Sequence, residues 1–376
     1  MARLEHICRA FGIEGTFAEG GAFGNGLIND TFAASFEHDG NQRRYIIQRI
    51  NHRIFRDPVA LMENVDRVCA HLRTRLIDEP CADLHRRSLT LVRTHEGQAL
   101  HCEPANAKQP VPTYWRCFHF IEGCTSYDVV DTPDQAYQAA RKFGEFQRLV
   151  SDLPGTRLIE TIPDFHNTPK RFAALKEAIA ADPLGRAAQC REEIEFALAN
   201  ESIAHHLLGL HAQGLIPERI THNDTKLSNV LIDDQSGLGM CVVDLDTVMP
   251  GLSLYDFGDL IRTCVSPIEE DSRDLASIHV RLPIFQALAR GFLEEMAGVL
   301  TPTEIANLPF SGKLFTFEVG LRFLADHLLG DQYFAAKRPN HNLHRARNQF
   351  QLVRQLNSHQ NEMNDFVQNV ITNEMA

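Results

Sequence analysis

The sequence has 376 residues, which exceeds the usual size of one domain and favours two domains or one domain with large insertions. Its composition is 44% hydrophobic and 23% charged; no stretch approaches the roughly 20 apolar residues of a membrane span, and the N-terminus lacks a signal-peptide pattern. A net charge of −12 without clustered Lys or Arg argues against nucleic acid or anionic membranes as partners, and nine cysteines without a CxxC pair suggest no disulfide framework or zinc site. We therefore expect a soluble, cytoplasmic protein whose oligomeric state the sequence leaves open.

The first 120 residues predict a sheet with one main helix. A glycine-rich stretch, GGAFGNG, leads into a hairpin formed by NDTFAASF and RRYIIQRI. Residues 57–76 have a proline at the helix start and apolar residues in helical spacing, which predicts an amphipathic helix. Residues 88–93 and 114–121 predict further strands.

Helical periodicity dominates after residue 121. Residues 132–150 begin with the capping-box pattern of Thr132 and Gln135. One exception follows, in which the apolar runs NVLI and MCVVDL flank the turn-forming DDQSG and predict a β-hairpin. The fold class is therefore α+β, with an N-terminal domain at 1–121 and a mostly helical C-terminal domain at 122–376.

The block HNDTKLSN, at residues 222–229, has the form HxDxKxxN just before a short apolar strand. Phosphoryl transfer needs an aspartate that accepts or orients the proton of the attacking hydroxyl, and Asp224 can serve as this base. Asn229, five residues on, can turn back to hold a magnesium ion against the phosphates. Lys226 can stabilise charge on the transferring phosphoryl group. His222 completes the catalytic motif, where we expect it to act as an internal brace.

A further metal ligand is expected at the end of the next strand, where VVDLD supplies Asp244. An antiparallel hairpin brings this strand end close to Asn229. Asp244 by itself could simply end a strand, but together with HxDxKxxN it indicates a magnesium site.

Together, HNDTKLSN and VVDLD resemble the catalytic and metal-binding segments of the kinase-like phosphotransferases, which include aminoglycoside phosphotransferases, choline kinases and protein kinases. The resemblance implies a bilobal protein-kinase-like fold. It also implies ATP and Mg²⁺ as cofactors.

The resemblance also implies a nucleotide site in the N-terminal half. The glycine stretch would cover the phosphates through Gly24, Asn25 and Gly26, although it lacks the GxGxxG spacing. The strand lysine of the superfamily is replaced in YIIQRI, so that either Gln48 or its neighbour Arg49 would contact the nucleotide.

Glu63 on the following helix would partner the residue that replaces the lysine. The segment WRCFHFIEG resembles the hinge, in which main-chain groups around His119 and Ile121 would pair with adenine and Phe118 would wall the pocket. A buried strand with an aromatic core is the alternative interpretation of this segment.

Several stretches, among them GLINDTF, FRDPVALMENV, THNDTKLSNVLID and VVDLDTVMPGLSLYDFGDLIR, resemble the N-acetylhexosamine 1-kinase group. Such enzymes phosphorylate the anomeric hydroxyl of N-acetylglucosamine or N-acetylgalactosamine, so Asp224 would be the base on the sugar O1. Arg322, Asp326 and Tyr333 would then wall the sugar. For each of these three residues, an exposed position or an internal ion pair is an equal alternative.

Two alternatives remain open at this stage. The acceptor could be another small alcohol of the choline, aminoglycoside or homoserine type, because the motifs do not distinguish acceptors. The loss of the strand lysine at Gln48 would also fit a nucleotide-binding pseudokinase module without catalysis. The presence of Asp224, Asn229 and Asp244 at workable spacing argues against that module.

The tripeptide DFG occurs at 256–258, but it lies about a dozen residues after Asp244 and precedes a helical run. This position leaves no room for the activation segment of a protein kinase. We expect Asp256 to cap a helix or to brace the catalytic loop, while Asp244 binds the metal.

Overall fold

The computed structural model describes residues 2–24, 28–77, 83–105 and 110–374. The N-terminal part contains α1 (Ala2–Cys8), β1 (Thr16–Ala22), β2 (Asp30–His38), β3 (Asn41–Ile50), α2 (Pro58–Ile77), α3 (Leu84–Arg87), β4 (Leu91–Val92), β5 (His101–Glu103) and β6 (Thr113–His119). The strands form one antiparallel sheet in the order β1-β2-β3-β6-β4, with β5 also paired to β6. The predicted sheet with one main helix is confirmed.

The predicted strands are shorter in the structure. The strand expected at 88–93 is reduced to β4, and the strand expected at 114–121 ends at His119. The first glycines of GGAFGNG, Gly20 and Gly21, belong to β1, so the loop that follows the strand starts only at Phe23.

The remaining part is mostly helical. It contains β7 (Cys124–Thr125), α4 (Pro133–Val150), α5 (Thr168–Ala181), α6 (Arg191–Ala199), α7 (Glu201–Ala212), β8 (Arg219–Thr221), β9 (Val230–Asp233), β10 (Gly239–Val242), β11 (Met249–Gly251), α8 (Ser253–Cys264), α9 (Leu282–Met296), α10 (Pro302–Leu329), α11 (His341–Ser358) and α12 (Gln360–Glu374). The capping box at Thr132 and Gln135 is present.

The predicted hairpin is formed by β9 and β10, whose antiparallel pairing places Val242 opposite Val230. β8 pairs separately with β11. The two hairpin strands and β8 therefore end around one loop, residues 222–229, which carries the HxDxKxxN block.

Two faces of the sheet bury different hydrophobic clusters. Ile47 and Trp115 point to the side covered by α1, whereas Ile50 and Phe118 pack with α2 and with the large cluster that runs through the helical part. Side chains of this second face therefore look toward the helical part of the molecule. Within the described residues, no helix is both long and apolar enough to cross a membrane.

The predicted domain boundary at 121/122 lies between β6 and β7. Arg86 spans this segment, because its guanidinium donates to the carbonyl of Glu122 (3.0 Å) and forms an ion pair with Asp233 of β9. The boundary itself stays a prediction.

Candidate active site

The predicted catalytic loop, residues 222–229, leaves β8 through a left-handed residue, Asn223, with φ of 65°. Asparagine tolerates this conformation better than most residues. Gly251 on the paired strand makes room for the turn, because a Cβ there would lie 2.3 Å from the Thr221 Oγ1 and 2.9 Å from the Asn223 Oδ1. The loop geometry thus depends on a glycine at position 251.

Asp224 projects from this loop next to a cation and an amide. Its Oδ2 lies 3.1 Å from the Lys226 Nζ and accepts a hydrogen bond of 3.0 Å from the Asn229 Nδ2. Burial by itself would raise the pKa of Asp224, but the neighbouring Lys226 and the hydrogen bonds bring that pKa below its usual value. Asp224 is therefore an ionised carboxylate near neutral pH, the form that accepts a proton.

Asn229 turns back onto the loop as its spacing predicts. Its Nδ2 also donates to the main-chain oxygen of Asp224 at 2.8 Å, and its main-chain oxygen accepts a hydrogen bond from the Val243 N–H at 2.9 Å. Within the described residues its Oδ1 has no hydrogen-bond partner, so this oxygen remains available.

Asp244 follows the strand β10 and is held in the left-handed region, with φ of 60° and ψ of 57°. Aspartate, like asparagine, adopts this conformation more readily than most residues. Burial, followed by the nearby Asp246 and Asp224, raises the pKa of Asp244 to about 6. Its carboxylate makes no hydrogen bond or ion pair within the described part of the chain.

These features fit a magnesium ion. Mg²⁺ prefers oxygen ligands, and the available groups are the Oδ1 of Asn229 and the crowded carboxylate of Asp244. In the parts of the chain that are described, no group of three or more His, Cys, Asp or Glu side chains forms a metal cluster. Two protein ligands with phosphate and water oxygens are the usual arrangement for Mg²⁺.

His222 is a scaffold residue. It is fully buried, its Nε2 lies 3.0 Å from the main-chain oxygen of Val243, and its ring meets Phe143 and Phe146 edge-on. It therefore joins the predicted catalytic loop to the strand that precedes Asp244, in agreement with the expected brace.

Two side chains of helix α8 hold the main chain of the loop. Asp256 accepts hydrogen bonds from the N–H of His222 (2.9 Å) and of Asn223 (2.7 Å), and Asp259 accepts one from the N–H of Thr225 (3.0 Å). The predicted bracing role of Asp256 is confirmed. Asp259 was missed by the sequence analysis, although DFGD places it one helical turn after Asp256.

The other letters of DFG also serve packing. Phe257 is fully buried against Phe285 and Phe292. A Cβ on Gly258 would lie 2.6 Å from the main-chain oxygen of Ser311 in α10, so glycine permits the close approach of these helices. The tripeptide therefore resembles the protein-kinase motif only in its letters.

In the predicted nucleotide site, the side-chain partners of Gln48 differ from the predicted one. Gln48 does not meet Glu63, which is exposed on α2; its Nε2 donates to the Thr31 Oγ1 (3.0 Å) and its Oε1 accepts from the Arg116 Nε (2.9 Å). Arg49 points to the opposite face of β3, where it forms an ion pair with Asp30. The predicted pairing of Gln48 with Glu63 is corrected, because the glutamate lies on the outer side of the helix.

A buried ionic cluster, missed by the sequence analysis, occupies this place. Arg116 on β6 is 2% exposed and forms an ion pair with Asp246, whose other oxygen accepts a hydrogen bond of 2.6 Å from the Asn29 Nδ2. A lone arginine in the apolar strand YWRCFHF was the available signal, but its partner lies 130 residues away.

The two hinge residues differ in what their main chain offers. The N–H of His119 already donates to the main-chain oxygen of Thr90 at 3.0 Å. The main-chain groups of Ile121 have no hydrogen-bond partner within the described residues, and Phe118 is buried beside the Arg116 guanidinium. Ile121 is therefore free to pair with a base, whereas the His119 N–H is not.

The predicted phosphate cover is described only in part. Gly24 is exposed, with φ of 72° and open space around its Cβ position. Asn25 and Gly26 lie outside the described residues.

On the acceptor side, Arg322 and Tyr333 lie together but Asp326 does not join them. The Arg322 guanidinium stands 5.5 Å from the centre of the Phe165 ring, 5.8 Å from that of Tyr333 and 5.4 Å from that of Phe334. It forms no hydrogen bond or ion pair within the described residues.

Asp326 has a structural duty instead. Its buried carboxylate accepts hydrogen bonds from the main-chain N–H groups of Gln332 (3.0 Å), Tyr333 (2.8 Å) and Phe334 (2.9 Å), and from the Asn342 Nδ2 (3.0 Å). Both carboxylate oxygens of Asp326 thus shape the loop that carries Tyr333, and its contact with a substrate stays a prediction.

A buried pair connects this region to the catalytic loop. The His166 Nδ1 lies 2.9 Å from the Glu318 Oε1, and its Nε2 lies 3.0 Å from the main-chain oxygen of Asn223. Glu318 precedes Arg322 by one turn of α10. Arg322 is thus separated from the catalytic loop by only a few side chains.

The sequence and the structure were compared with those of known proteins. The sequence pattern of the phosphotransferase enzyme family (APH) matches residues 19–290. A choline kinase from Cryptosporidium parvum is similar in structure, with a TM-score of 0.57 and 14% identity over 98% of this chain and 97% of that chain.

Two further structures are similar. A spectinomycin phosphotransferase solved with ADP and spectinomycin has a TM-score of 0.53 at 12% identity, over 95% of this chain and 98% of that chain. An aminoglycoside phosphotransferase from Alicyclobacillus acidocaldarius has a TM-score of 0.51 at 12% identity, over 95% and 92%. These likenesses confirm the predicted protein-kinase-like fold.

Proposed function

Because the chain belongs to the phosphotransferase enzyme family, we propose that it transfers the γ-phosphoryl group of ATP to a hydroxyl of a small molecule. The observation that carries this proposal is the Asp224 carboxylate, which lies 3.1 Å from the Lys226 Nζ and 3.0 Å from the Asn229 Nδ2, near the unpaired carboxylate of Asp244. A proton acceptor, a cation and two available oxygen ligands thus lie within one short segment.

Asp224 would orient the acceptor hydroxyl and take its proton as the new P–O bond forms. Lys226, whose ammonium lies 3.1 Å from Asp224, can swing to the equatorial phosphoryl oxygens, because it is 41% exposed and is not locked in a buried pair. Asn229 and Asp244 would hold Mg²⁺, which would supply positive charge to neutralise the phosphates. His222, Asp256 and Asp259 keep the loop in place.

For the acceptor, we propose a neutral amino sugar, an N-acetylhexosamine phosphorylated at its anomeric hydroxyl. The support, besides the sequence resemblance, is the Arg322 guanidinium, which has aromatic neighbours and makes no hydrogen bond or ion pair within the described residues. Guanidinium N–H groups donate to sugar hydroxyls or to an acetamido oxygen, and the Tyr333 ring suits an apolar pyranose face.

The same charge argues against a cationic acceptor. Choline and aminoglycosides carry positive charge and call for carboxylates or an open aromatic cage, whereas Arg322 would repel them. A zwitterionic acceptor of the homoserine type, or an uncharged alcohol, stays compatible. A pseudokinase is disfavoured because the proposed base and both proposed metal ligands are all present in the sequence.

An acceptor panel tests the proposal. Purified protein would be incubated with ATP and Mg²⁺ and with N-acetylglucosamine, N-acetylgalactosamine, choline, an aminoglycoside or homoserine, while ADP release is followed. We expect release only with the N-acetylhexosamines, and release at least about 100-fold slower for Asp224→Asn. Release with choline and not with the sugars would refute the amino-sugar acceptor, and no release with any acceptor would favour the non-catalytic module.

A further inference from the structure

The superfamily that this chain resembles usually carries a phosphate-binding lysine on the strand where this chain has Gln48. A neutral amide cannot supply that charge. Arg49, the adjacent cation, cannot replace it either, because it lies on the other face of β3 and pairs with Asp30. A site that binds a polyphosphate therefore needs its N-terminal cation from another strand.

Arg116 is placed to supply that cation. It stands directly opposite Gln48 in the β3–β6 ladder, so both side chains project from the same face of the sheet. The Gln48 amide holds it by accepting from its Nε at 2.9 Å. Its position therefore differs from that of a strand lysine at residue 48 by one strand spacing, about 5 Å.

The same guanidinium is oriented by the segment that follows the proposed metal ligand. Its Nη1 pairs with Asp246, two residues after Asp244, and Asp246 is fixed in turn by Asn29. The arginine is nearly sealed, with 2% exposure, yet its Nη2 group has no hydrogen-bond partner within the described residues and is not among the fully enclosed polar atoms. A donor therefore remains unused beside the proposed metal site.

We propose that Arg116 is the phosphate-binding cation of the N-terminal lobe, with Gln48 and Asp246 as its positioning residues. This inference rests on the proposed use of ATP. In this arrangement Nη2 donates to a non-transferred phosphate oxygen of the nucleotide, while Nε and Nη1 stay bound to the protein. The positive charge of the missing strand lysine is then supplied by Arg116 from the neighbouring strand, and the absence of the lysine does not imply a loss of function.

Nucleotide binding tests this assignment without requiring catalysis or an acceptor. The affinities of ADP with Mg²⁺ and of adenosine would be measured by calorimetry for the wild type, for Asp246→Asn and for Arg116→Gln combined with Asp246→Asn. The double variant removes the charge without leaving Asp246 buried and unpaired. Arg43→Gln, an exposed arginine on β3, is the matched control.

We expect the double variant to bind ADP about 10- to 100-fold more weakly than Asp246→Asn does, with adenosine affinity changed less than about twofold. Arg43→Gln should leave both affinities unchanged. Equal losses for ADP and adenosine, or no loss for either, would overturn the assignment. If the wild type binds neither ADP nor ATP, the proposed function fails as well, which distinguishes the two failures.

A variant that moves the cation from residue 116 to residue 48 gives an independent check. It is compared with Arg116→Gln, which also lacks the ion pair with Asp246. Gln48→Lys combined with Arg116→Gln moves the cation to the directly opposite position of the ladder. We expect this variant to regain at least about tenfold in ADP affinity over Arg116→Gln at an unchanged thermal midpoint. No regain in such a folded variant would contradict a phosphate contact from this face.

Discussion

Replacing Asp256 by asparagine separates a bracing role from a metal-binding role. The side chain keeps its size but has one oxygen where the carboxylate has two. Asp256 uses Oδ1 for the Asn223 N–H and Oδ2 for the His222 N–H and the Gln147 amide. In either orientation the new NH₂ group therefore faces at least one N–H donor.

The magnitude follows from these contacts. An unsatisfied buried donor costs about 1–3 kcal/mol, and the remaining hydrogen bonds lose the charge assistance that makes them worth about 1.5–3 kcal/mol. Burial raises the pKa of Asp256, and the neutral amide avoids this cost of burying charge. We expect a net loss of roughly 2–4 kcal/mol in the free energy of unfolding.

Urea unfolding and steady-state kinetics would measure both effects. Because a small displacement of a catalytic group is costly, we expect kcat to fall about 100-fold with little change in the Mg²⁺ dependence. Asp365→Asn, an exposed aspartate on α12, is the matched control and should change neither quantity. Wild-type stability together with an altered Mg²⁺ dependence for Asp256→Asn would refute the bracing role.

Three further predictions concern the loop and its supports. Asp224→Asn should lower kcat by about 10²- to 10⁴-fold while ADP affinity in calorimetry is retained, because only the proton acceptor is removed. Gly251→Ala should lower kcat and stability together, since its Cβ would lie 2.3 Å from the Thr221 Oγ1. Burial alone would raise the pKa of Glu318, but His166 holds that pKa below its usual value. The ionised Glu318 therefore stabilises the fold above about pH 4.5, and this stabilisation is lost on acidification. Glu318→Gln should thus make the free energy of unfolding less dependent on pH below about pH 4.5.

Matched variants control these experiments. Gly209→Ala introduces a Cβ with no neighbour within 4 Å and should leave activity and stability nearly unchanged. Glu362→Gln alters an exposed glutamate and should keep the wild-type acid profile. An Asp224→Asn enzyme with the wild-type kcat would refute the assigned base, and a fully active Gly251→Ala enzyme would refute the steric argument. If Glu318→Gln unfolds in acid with the same pH dependence as the wild type, the pairing of Glu318 with His166 has no such role.

Local patterns explain what the sequence could predict. The periodicity of 57–76 and the capping box at Thr132 specify helices from neighbouring residues, and both are present in the structure. The apolar runs and the turn between them likewise predicted the hairpin of β9 and β10. Since a hairpin brings its strand ends together, the short distance between Asn229 and the strand before Asp244 could be expected.

Long-range and orientational features could not be predicted in this way. The ion pair of Arg116 with Asp246 joins residues 130 positions apart, and no local pattern indicates it. The resemblance suggested Glu63 as the partner of Gln48, and the stretch around Arg322 suggested Asp326 as a sugar contact. The rotation of each residue about its helix axis decides which side chain is exposed and which one binds main-chain donors. For Asp326 the deciding partners are N–H groups of a loop that follows the helix.

The most direct test of the proposed phosphoryl transfer is a crystal structure with a non-hydrolysable ATP analogue, Mg²⁺ and N-acetylglucosamine. We predict Mg²⁺ at about 2.0–2.1 Å from the Asn229 Oδ1 and from an Asp244 oxygen. The sugar O1 should lie about 2.6–3.2 Å from the Asp224 carboxylate. Mg²⁺ on Asp256, or a nucleotide whose γ-phosphate lies away from Asp224, would contradict the account.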